Sequence, residues 1–402
     1  MMYPRKRLDI LWGDLVFGFA SCFWSKPRSQ LSQKIERFFS PIGEPELDSE
    51  ASVCLSIRSG FDLYLEILNL EPGSEVLVSA LTIPDMWRIL EYHGLVPVPV
   101  DVDPLTLAPK PESLEKALSS KTKAVLVAHL FGTRMDLSGI AEFSRRHALF
   151  LWEDCAQAFS GLAYTGDPRA AVSMFSFGPI KTATALGGGV LIIRDKDLRH
   201  HWRQVHARYP AQSERSFFSR VLKYALIKAL TNPVAYGAFF RICYAFGKSP
   251  DAIIQRSVRG FSGDDFYFRI RHQPSRALLS LLLRRIRDFD EVKIQKRAAA
   301  MERVIDQLGE RDAFPGAYAP ERTHWVSTML CGEPVRLVER LRIAGFDATQ
   351  VATLKSVTAP RSRPDLKPKS SEGLLGSIVY LPVNADLPIS AVDRLIHLLR
   401  QE

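Results

Sequence analysis

The chain has 402 residues, of which 46% are hydrophobic, and this length and composition predict a large globular core divided between two domains. Lysine and arginine outnumber aspartate and glutamate by 53 to 44, a formal net charge of +9 that favours anionic partners such as phosphorylated substrates, nucleotides or an anionic membrane surface. No helix-turn-helix, zinc-finger or RNA-binding signature accompanies this charge, so we do not predict nucleic acid as a partner.

The cysteines are few, odd in number and scattered along the chain. None of the five sits in a Cys-x-x-Cys pair, so the sequence indicates neither a disulfide framework nor a metal site. A reducing, cytoplasmic compartment suits this pattern.

Residues 1–49 are predicted to form an N-terminal extension. Three basic residues at positions 5–7 precede an apolar stretch from Leu15 to Trp24, which is too short to span a bilayer. The charged Asp14 argues against a signal peptide. We therefore expect a surface helix that packs on the body of the protein or touches a membrane surface.

Short β-rich runs alternate with amphipathic stretches from Leu55 to Ile193. The predicted strands are Val76–Val78, Val96–Val100, Ala124–His129, Leu149–Glu153, Met174–Phe177 and Val190–Ile193. The predicted helices between them are Met86–Tyr92, Pro111–Ala117 and Leu137–Arg146. This alternation predicts an α/β fold with a mostly parallel central sheet flanked by helices, assigned to a large domain over residues 50–274.

The most informative segment reads LWEDCAQAF, then MFSFGPIK, then TATALGGGV. One strand-like run ends on Asp154, and a second carries Ser176 and leads to Lys181 and glycines 187–189. A solitary lysine in a strand-turn-strand is usually only a solvated side chain, but here an acid, a hydroxyl and a lysine coincide. These groups suit pyridoxal phosphate, because the lysine amine can hold the cofactor covalently and the carboxylate can pair with its pyridinium nitrogen.

At these residues the sequence resembles the DegT/StrS-type sugar aminotransferases, which are fold type I pyridoxal phosphate-dependent enzymes. EDCAQAF resembles the family's pyridine-binding segment, and FSFGPIK resembles its lysine segment. Further segments in the family's order are RSGFDLYLEIL (58–68), PGSEVLVSALT (72–82), VPVDVDPLTLAP (98–109), AHLFG (128–132), GFDATQV (345–351) and VYLPVN (379–384). The resemblance implies a homodimer and a smaller C-terminal α/β domain, placed here at residues 275–402.

The resemblance also implies roles for individual residues. Lys181 would be the catalytic lysine that holds the cofactor and moves the proton, and Gln157 would contact the ring-hydroxyl side. The cofactor phosphate would lie against Ser59, Gly60 and Phe61, whose backbone N–H groups are expected to point outward just before an apolar helix. Ser176 would be a second phosphate donor, although a buried strand serine can equally bond to backbone.

Two positions depart from the family pattern. Ile83 stands where the family commonly stacks an aromatic ring on the cofactor, with Trp87 four residues on. Tyr267, in DFYFRIRHQPS, stands where the family has an asparagine that reaches the phosphate across the dimer interface, while Arg269 matches the family arginine. That contact is therefore lost or made by the tyrosine hydroxyl. His129 in AHLFG is expected to be structural rather than catalytic.

Residues from about 210 to 262 are an insertion relative to the family pattern. Phe218, Leu222, Leu226 and Leu230 recur at i, i+4 spacing, and Asn232-Pro233 breaks the helix. Two interpretations stay open: a helical hairpin packed on the protein or its dimer mate, and an interfacial membrane contact through residues 213–248 with basic residues at the headgroups. Farther on, the Pro/Ser/Lys-rich stretch 358–373 predicts a mobile loop.

The sequence thus predicts a pyridoxal phosphate-dependent aminotransferase in the cytoplasm, with contact to a membrane surface left open. Its small-molecule substrates would be an amino donor such as glutamate and a keto sugar linked to a nucleotide, in polysaccharide or glycoconjugate biosynthesis. The alternatives are a lipid-linked acceptor and a non-catalytic or regulatory relative whose insertion binds a membrane or partner. Cofactor-dependent sugar dehydration is disfavoured, because such family members replace the lysine with histidine.

Overall fold

The computed structural model describes residues 1–40, 49–258, 263, 265–350 and 353–401. Its helices are α1 (Trp12–Ser21), α2 (Arg28–Phe38), α3 (Ile57–Leu68), α4 (Pro84–Tyr92), α5 (Pro111–Ala117), α6 (Ser138–Arg146), α7 (Lys196–His206), α8 (Glu214–Leu230), α9 (Pro233–Ala245), α10 (Pro250–Val258), α11 (Phe266–Ile270), α12 (Arg276–Arg287), α13 (Val292–Leu308), α14 (Pro334–Ile343), α15 (Lys369–Ser377) and α16 (Ile389–Leu399). Its strands are β1 (Ala51–Cys54), β2 (Glu75–Ser79), β3 (Leu81–Thr82), β4 (Val96–Val100), β5 (Thr122–Ala128), β6 (Thr133–Arg134), β7 (Phe150–Asp154), β8 (Val172–Ser176), β9 (Gly189–Ile193), β10 (Glu321–Arg322), β11 (Ser327–Leu330), β12 (Lys355–Ser356) and β13 (Ile378–Leu381).

A seven-stranded sheet in the order β1-β9-β8-β7-β5-β2-β4 forms the centre of the protein. Its neighbours β8, β7, β5, β2 and β4 pair in parallel, and β9 runs antiparallel to both β8 and β1. The prediction of a mostly parallel sheet flanked by helices is confirmed, and all six predicted strands are present. Helices cover both faces, so the strands are buried on both sides and read as nearly continuous apolar runs.

Helix α12 packs against the large sheet although the sequence assigned it to the small domain. Its leucines lie in one apolar cluster with Phe175 and Phe177 of the β8 region. Farther along the chain, α13, α14, α16 and the antiparallel pair β11–β13 build a separate core, whereas β10 and β12 pair with β6 and β3. The domain boundaries at 49/50 and 274/275 stay a prediction, and residues 41–48 beside the first of them, like 259–262 at the end of the insertion, lie outside the described residues.

The N-terminal apolar stretch forms helix α1, which packs on α12 and α8 as a surface helix. Gly18 lies against Leu281, and the carboxylate of Asp14 pairs with Arg284 and Arg285 at 2.9 and 2.8 Å. The expected packing on the body of the protein is therefore confirmed. Within the described residues, the structure contains no helix long and apolar enough to cross a membrane.

The insertion folds into α8, α9 and α10. The leucines of the predicted apolar stripe lie on the exposed side of α8. Phe217, Val221 and Tyr224 form the buried face of α8. By contrast, Leu222, Leu226 and Leu230 are 50%, 60% and 50% exposed. The i, i+4 pattern identified a real face of the helix but not the side toward the core. The predicted break is correct, since Asn232 caps α9 and Pro233 is its first residue.

The stretch 358–373, predicted as a mobile loop, is held in place. The carboxylate of Asp101 accepts hydrogen bonds from the backbone N–H groups of Ser370 and Ser371 at 2.9 Å each. Arg363 donates to the carbonyls of Lys116 and Ala117 at 2.7 Å. The loop prediction was wrong because composition does not report such distant polar anchors.

Candidate active site

The predicted cofactor residues gather at one edge of the central sheet. Strand pairing sets Asp154 at the end of β7 beside Met174 in the middle of β8, and Ser176 beside Gly189, which in turn pairs with Cys54. Helix α3 begins three residues after Cys54, so its first turn lies at the same edge. The carboxyl ends of parallel strands are where such sheets bind ligands.

Asp154 ends β7 as a buried carboxylate. Its Oδ1 atom accepts the backbone N–H of Ala156 at 2.9 Å. Burial raises the pKa of Asp154 above its usual value, although that hydrogen bond and the nearby charge of Lys181 act in the opposite direction. A buried acid of this kind gains most from a cationic partner, and a protonated pyridine nitrogen would supply one.

Lys181 lies in the turn that follows β8. Its backbone N–H donates to the carbonyl of Gly178 at 3.0 Å, and its ammonium lies 4.4 Å from the centroid of the Trp325 indole ring. Burial lowers the pKa of Lys181 to about 8, with Arg58 acting in the same direction and Asp154 against it. A lysine with this pKa carries a useful fraction of neutral, nucleophilic amine at physiological pH.

The close approach of α3 to the sheet explains the two glycines at the contact, Gly60 and Gly189. A Cβ atom at Gly189 would lie 2.7 Å from the backbone nitrogen of Ile57. Gly60 is tighter still, because a Cβ atom there would lie 2.4 Å from Leu191. These glycines let α3 bring its first turn against the end of the sheet.

The structure corrects the prediction that backbone N–H groups of Ser59 and Gly60 are free to bind the cofactor phosphate. Helix α3 begins at Ile57 with Ser56 as its N-cap, so Ser59 and Gly60 lie inside the first turn. The N–H of Ser59 already bonds to the Ser56 hydroxyl at 3.2 Å, and the N–H of Gly60 to the Ser56 carbonyl at 3.0 Å. What remains is the Ser59 hydroxyl, which is buried and has no hydrogen-bond partner. A phosphate oxygen would satisfy that group, so the site fits the cofactor phosphate.

Three further predicted residues lie at or near this edge. Ser176 ends β8, and its hydroxyl has only a long contact of 3.5 Å with the N–H of Gly178. Gln157 is half-buried, and its carbonyl oxygen accepts the N–H of Phe131 at 2.8 Å, so its two amide hydrogens stay available. Ile83 is the N-cap of α4 and packs against apolar side chains under the sheet edge.

Two predicted residues have side chains that are committed elsewhere. The ring of Phe61 is fully buried and meets Trp152 edge-on at 5.5 Å, so the side chain belongs to the core, whereas the prediction for Phe61 concerned its backbone N–H. The hydroxyl of Tyr267 donates to the carbonyl of Arg88 at 2.9 Å, and its ring stacks on Tyr92 at 3.7 Å. The hydroxyl of Tyr267 is therefore not free to replace the phosphate contact of the family asparagine.

His129 is structural, as the sequence predicted. Its Nε2 atom lies 2.9 Å from Glu153, and its Nδ1 atom accepts the N–H of Met135 at 3.2 Å. Glu153 also accepts hydrogen bonds from Tyr164 and Ser173. The hydrogen bond and charge of His129, followed by the hydrogen bonds from Ser173 and Tyr164, lower the pKa of Glu153 to about 2 despite burial. The His129, Glu153 and Cys155 side chains come close together, but the first two have their polar atoms engaged within the protein.

Sequence reasoning missed several charged and aromatic residues at the site. Arg58 pairs with Asp85 at 2.8 Å, and its charge acts on both Asp154 and Lys181. Trp325 donates its indole N–H to the carbonyl of Ile180 at 3.1 Å and so fixes the lysine turn from the C-terminal part of the chain. Arg58 could have been noticed beside Ser59, whereas Trp325 is too distant in sequence to give a local signal.

Two cavities differ in their relation to the site. A cavity of ≈ 70 Å³ is lined by Lys181 together with residues of the N-terminal extension and of α13. A larger cavity of ≈ 390 Å³ lies between α5 and α6, and none of the predicted site residues line it. The smaller cavity is the one that bears on the chemistry of Lys181.

Comparisons with known proteins place this geometry in context. Residues 48–226 match the DegT/DnrJ/EryC1/StrS aminotransferase family. The chain is 34% identical over 177 residues to a "Pleiotropic regulatory protein" of Geobacillus stearothermophilus, covering 42% of this chain and 46% of that protein. It is 32% identical over 180 residues to the GDP-perosamine synthase of Escherichia coli O157:H7, covering 44% and 49% respectively. The chain thus spans about half the length of these curated relatives.

The whole fold has counterparts among solved structures. A structure of ntda from Bacillus subtilis with bound cofactor pmp superimposes with a TM-score of 0.69. That match covers 100% of this chain and 84% of the other at 17% identity, so it establishes the fold alone.

Proposed function

Because residues 48–226 match the DegT/DnrJ/EryC1/StrS aminotransferase family, we propose that the protein belongs to this family and is a pyridoxal phosphate-dependent aminotransferase. It would take an amino group from a donor such as glutamate and pass it to a keto sugar carried on a nucleotide. The product would serve polysaccharide or glycoconjugate biosynthesis. A sugar-nucleotide acceptor is supported by the relative named GDP-perosamine synthase and agrees with the net charge of +9.

The observation that carries the proposal is that Lys181 and Asp154 are buried near one another at one end of the sheet, with the pKa of Lys181 lowered by burial. Bound pyridoxal phosphate supplies an electron-withdrawing ring that stabilises negative charge at the carbon losing its proton. Asp154 would keep the ring nitrogen protonated. Lys181, neutral in part because its pKa is about 8, would bind the cofactor and later move the proton at the substrate carbon.

The remaining residues would orient the cofactor. The Ser59 hydroxyl, buried without a partner, and the Ser176 hydroxyl would donate to the phosphate. The free amide hydrogens of Gln157 would face the ring-hydroxyl side. Ile83 would cover one face of the ring with an aliphatic side chain where the family commonly uses an aromatic one.

The protein is proposed to act as a homodimer in the cytoplasm, on small-molecule substrates. The exposed leucines of α8, together with exposed Trp12 and Val16 of the neighbouring α1, support a peripheral contact with an anionic membrane surface through residues 213–248. Such a contact would suit a lipid-linked acceptor as the alternative substrate.

A second candidate is a non-catalytic, regulatory role, favoured by the relative named "Pleiotropic regulatory protein". The two are separated by the visible spectrum of the purified protein with pyridoxal phosphate, before and after glutamate, and by borohydride reduction. The aminotransferase reading predicts a visible band that glutamate removes, and covalent labelling of Lys181 that is lost in Lys181→Ala and kept in Lys121→Ala, an exposed lysine. A parent protein that binds no cofactor would refute it and favour the regulatory reading.

A further inference from the structure

The cavity beside Lys181 contains two cationic side chains whose nitrogens are buried without hydrogen-bond partners. They are Lys6 Nζ, from the N-terminal extension, and Arg297 Nη2, from α13. The Lys6 ammonium lies 3.3 Å from the centroid of the Trp325 indole, the ring that also lies 4.4 Å from the Lys181 ammonium. The two lysines are thus neighbours across one aromatic ring.

The carboxylates that share this cavity are used elsewhere. Asp9 accepts the N–H of Ala183 at 2.7 Å and faces Lys293 at 3.4 Å. Asp386 pairs with Arg7 at 3.1 Å, and Asp290 accepts the N–H of Val292 at 2.9 Å. Across the residues that the structure describes, no ion pair joins Lys6 or Arg297 to an acid.

A buried cation without an anion is unfavourable, and these two stand close together. Burial and the charges of Lys181 and Arg297 lower the pKa of Lys6 well below its usual value, and burial lowers the pKa of Arg297 to about 10. A bound oxyanion would reverse this cost by accepting charge-assisted hydrogen bonds from both side chains.

We propose that Lys6 and Arg297 form the binding site for the carboxylate that is bonded to the reacting carbon of the amino donor. This inference rests on the proposed aminotransferase function. The position next to Lys181 selects this carboxylate, because in an amino acid it is attached directly to the carbon whose amine is transferred. The phosphates of a nucleotide-linked sugar are attached at the anomeric carbon, away from the ketone, and would lie farther from Lys181.

The site is held in advance by contacts on both sides. Arg5, next to Lys6, is fixed by Asp251 at 2.6 Å and by Asp347 at 2.7 Å. Arg297 donates its Nε–H to the carbonyl of Thr323 at 2.8 Å, which leaves Nη2 to face the cavity. Both cations therefore lose little conformational entropy when they bind an anion.

The test uses calorimetric titration of the cofactor-free protein with 2-oxoglutarate, the keto acid formed from glutamate. Lys6→Met and Arg297→Lys should each weaken binding at least about tenfold, the effect of losing a charged hydrogen bond. Lys293→Met is the matched control, because that lysine lines the same cavity but already pairs with Asp9. Circular dichroism confirms that the variants are folded. No binding by the parent, or equal binding by parent and variants, overturns the proposal.

Two further arms separate the sources of the oxyanion and the two hypotheses. If Lys6→Met weakens the binding of inorganic phosphate as much as the binding of 2-oxoglutarate, the site takes a phosphate group and the carboxylate assignment is wrong. With the cofactor-loaded protein, Lys6→Met should raise the glutamate concentration for half-maximal loss of the visible band at least about tenfold, whereas Lys293→Met should leave it unchanged. A parent without that band refutes the aminotransferase function, whereas the calorimetry still decides the anion site.

Discussion

The pKa of Lys181 gives a prediction that can be tested without substrate. At pH 7 an amine with a pKa of about 8 is about one-tenth neutral, whereas an ordinary lysine with a pKa of 10.5 is neutral to about 0.03%, a ratio of about 300. Cofactor-free protein labelled briefly with acetic anhydride across pH 6–11, with mass spectrometry of each lysine peptide, reports the midpoint for each amine. Lys181 should titrate near 8, and exposed Lys121 in the same digest serves as the internal control.

Replacing Asp154 sharpens this test, because the variant should lose a cofactor contact and yet have a more reactive Lys181. The Asp154 carboxylate raises the pKa of Lys181, so Asp154→Asn should lower the midpoint of Lys181 further. The variant should therefore label faster at neutral pH even though it loses its partner for the pyridine nitrogen. A Lys181 midpoint equal to that of Lys121, or one that rises in Asp154→Asn, would show that burial and the charge of Asp154 do not act on Lys181 as described.

Two other perturbations address the insertion. Asp347 is fully buried and accepts hydrogen bonds from Arg5 and from the Tyr236 hydroxyl, so Asp347→Asn should lower the free energy of unfolding in urea by about 3–5 kcal/mol. The exposed pair Arg7–Asp386 is the control, since Asp386→Asn should cost less than about 1 kcal/mol, and equal losses would contradict the role of the buried network. Replacing Leu222, Leu226 and Leu230 together with Gln should leave stability unchanged and abolish sedimentation with anionic vesicles. Ile343→Gln, at an exposed position elsewhere, should not abolish it, and a triple variant that still sediments would exclude these leucines from a membrane contact.

The parts of the fold that were predictable are those encoded by local pattern. Alternating apolar runs and amphipathic stretches indicate strands and helices, and a carboxylate at a strand end indicates the binding edge. Lys181, Asp154 and Ser176 were accessible for this reason, since they lie within 28 residues of one another. The start of α3 was misplaced because Ser56 and Ser59 are equally good N-cap residues by sequence, and only the packing of Ile57 against Gly189 selects the first.

The parts that were not predictable depend on contacts between distant segments. Lys6, Arg297 and Trp325 come from three separate regions of the chain and meet only in the folded protein. The direction of the leucine stripe of α8 could not be predicted for a related reason: periodicity identifies an apolar face, but which of two apolar faces is buried depends on the partner surface. Here the side with Phe217 and Val221 packs with the leucines of α12, and the stripe is left outside.

The insertion has two distinct sides with different surroundings. Its inner side joins the N-terminal extension to the C-terminal domain, because Asp251 of α10 pairs with Arg5 and with Arg342 at 2.6 Å each. That junction holds Lys6 in the cavity next to Lys181. Its outer side presents the leucines of α8. Deleting residues 213–248 would disturb both sides at once, so lost activity and lost membrane contact in such a deletion could not be assigned to either. Point changes on each side are needed, and Asp347→Asn should affect donor binding while the leucine variant should leave it intact.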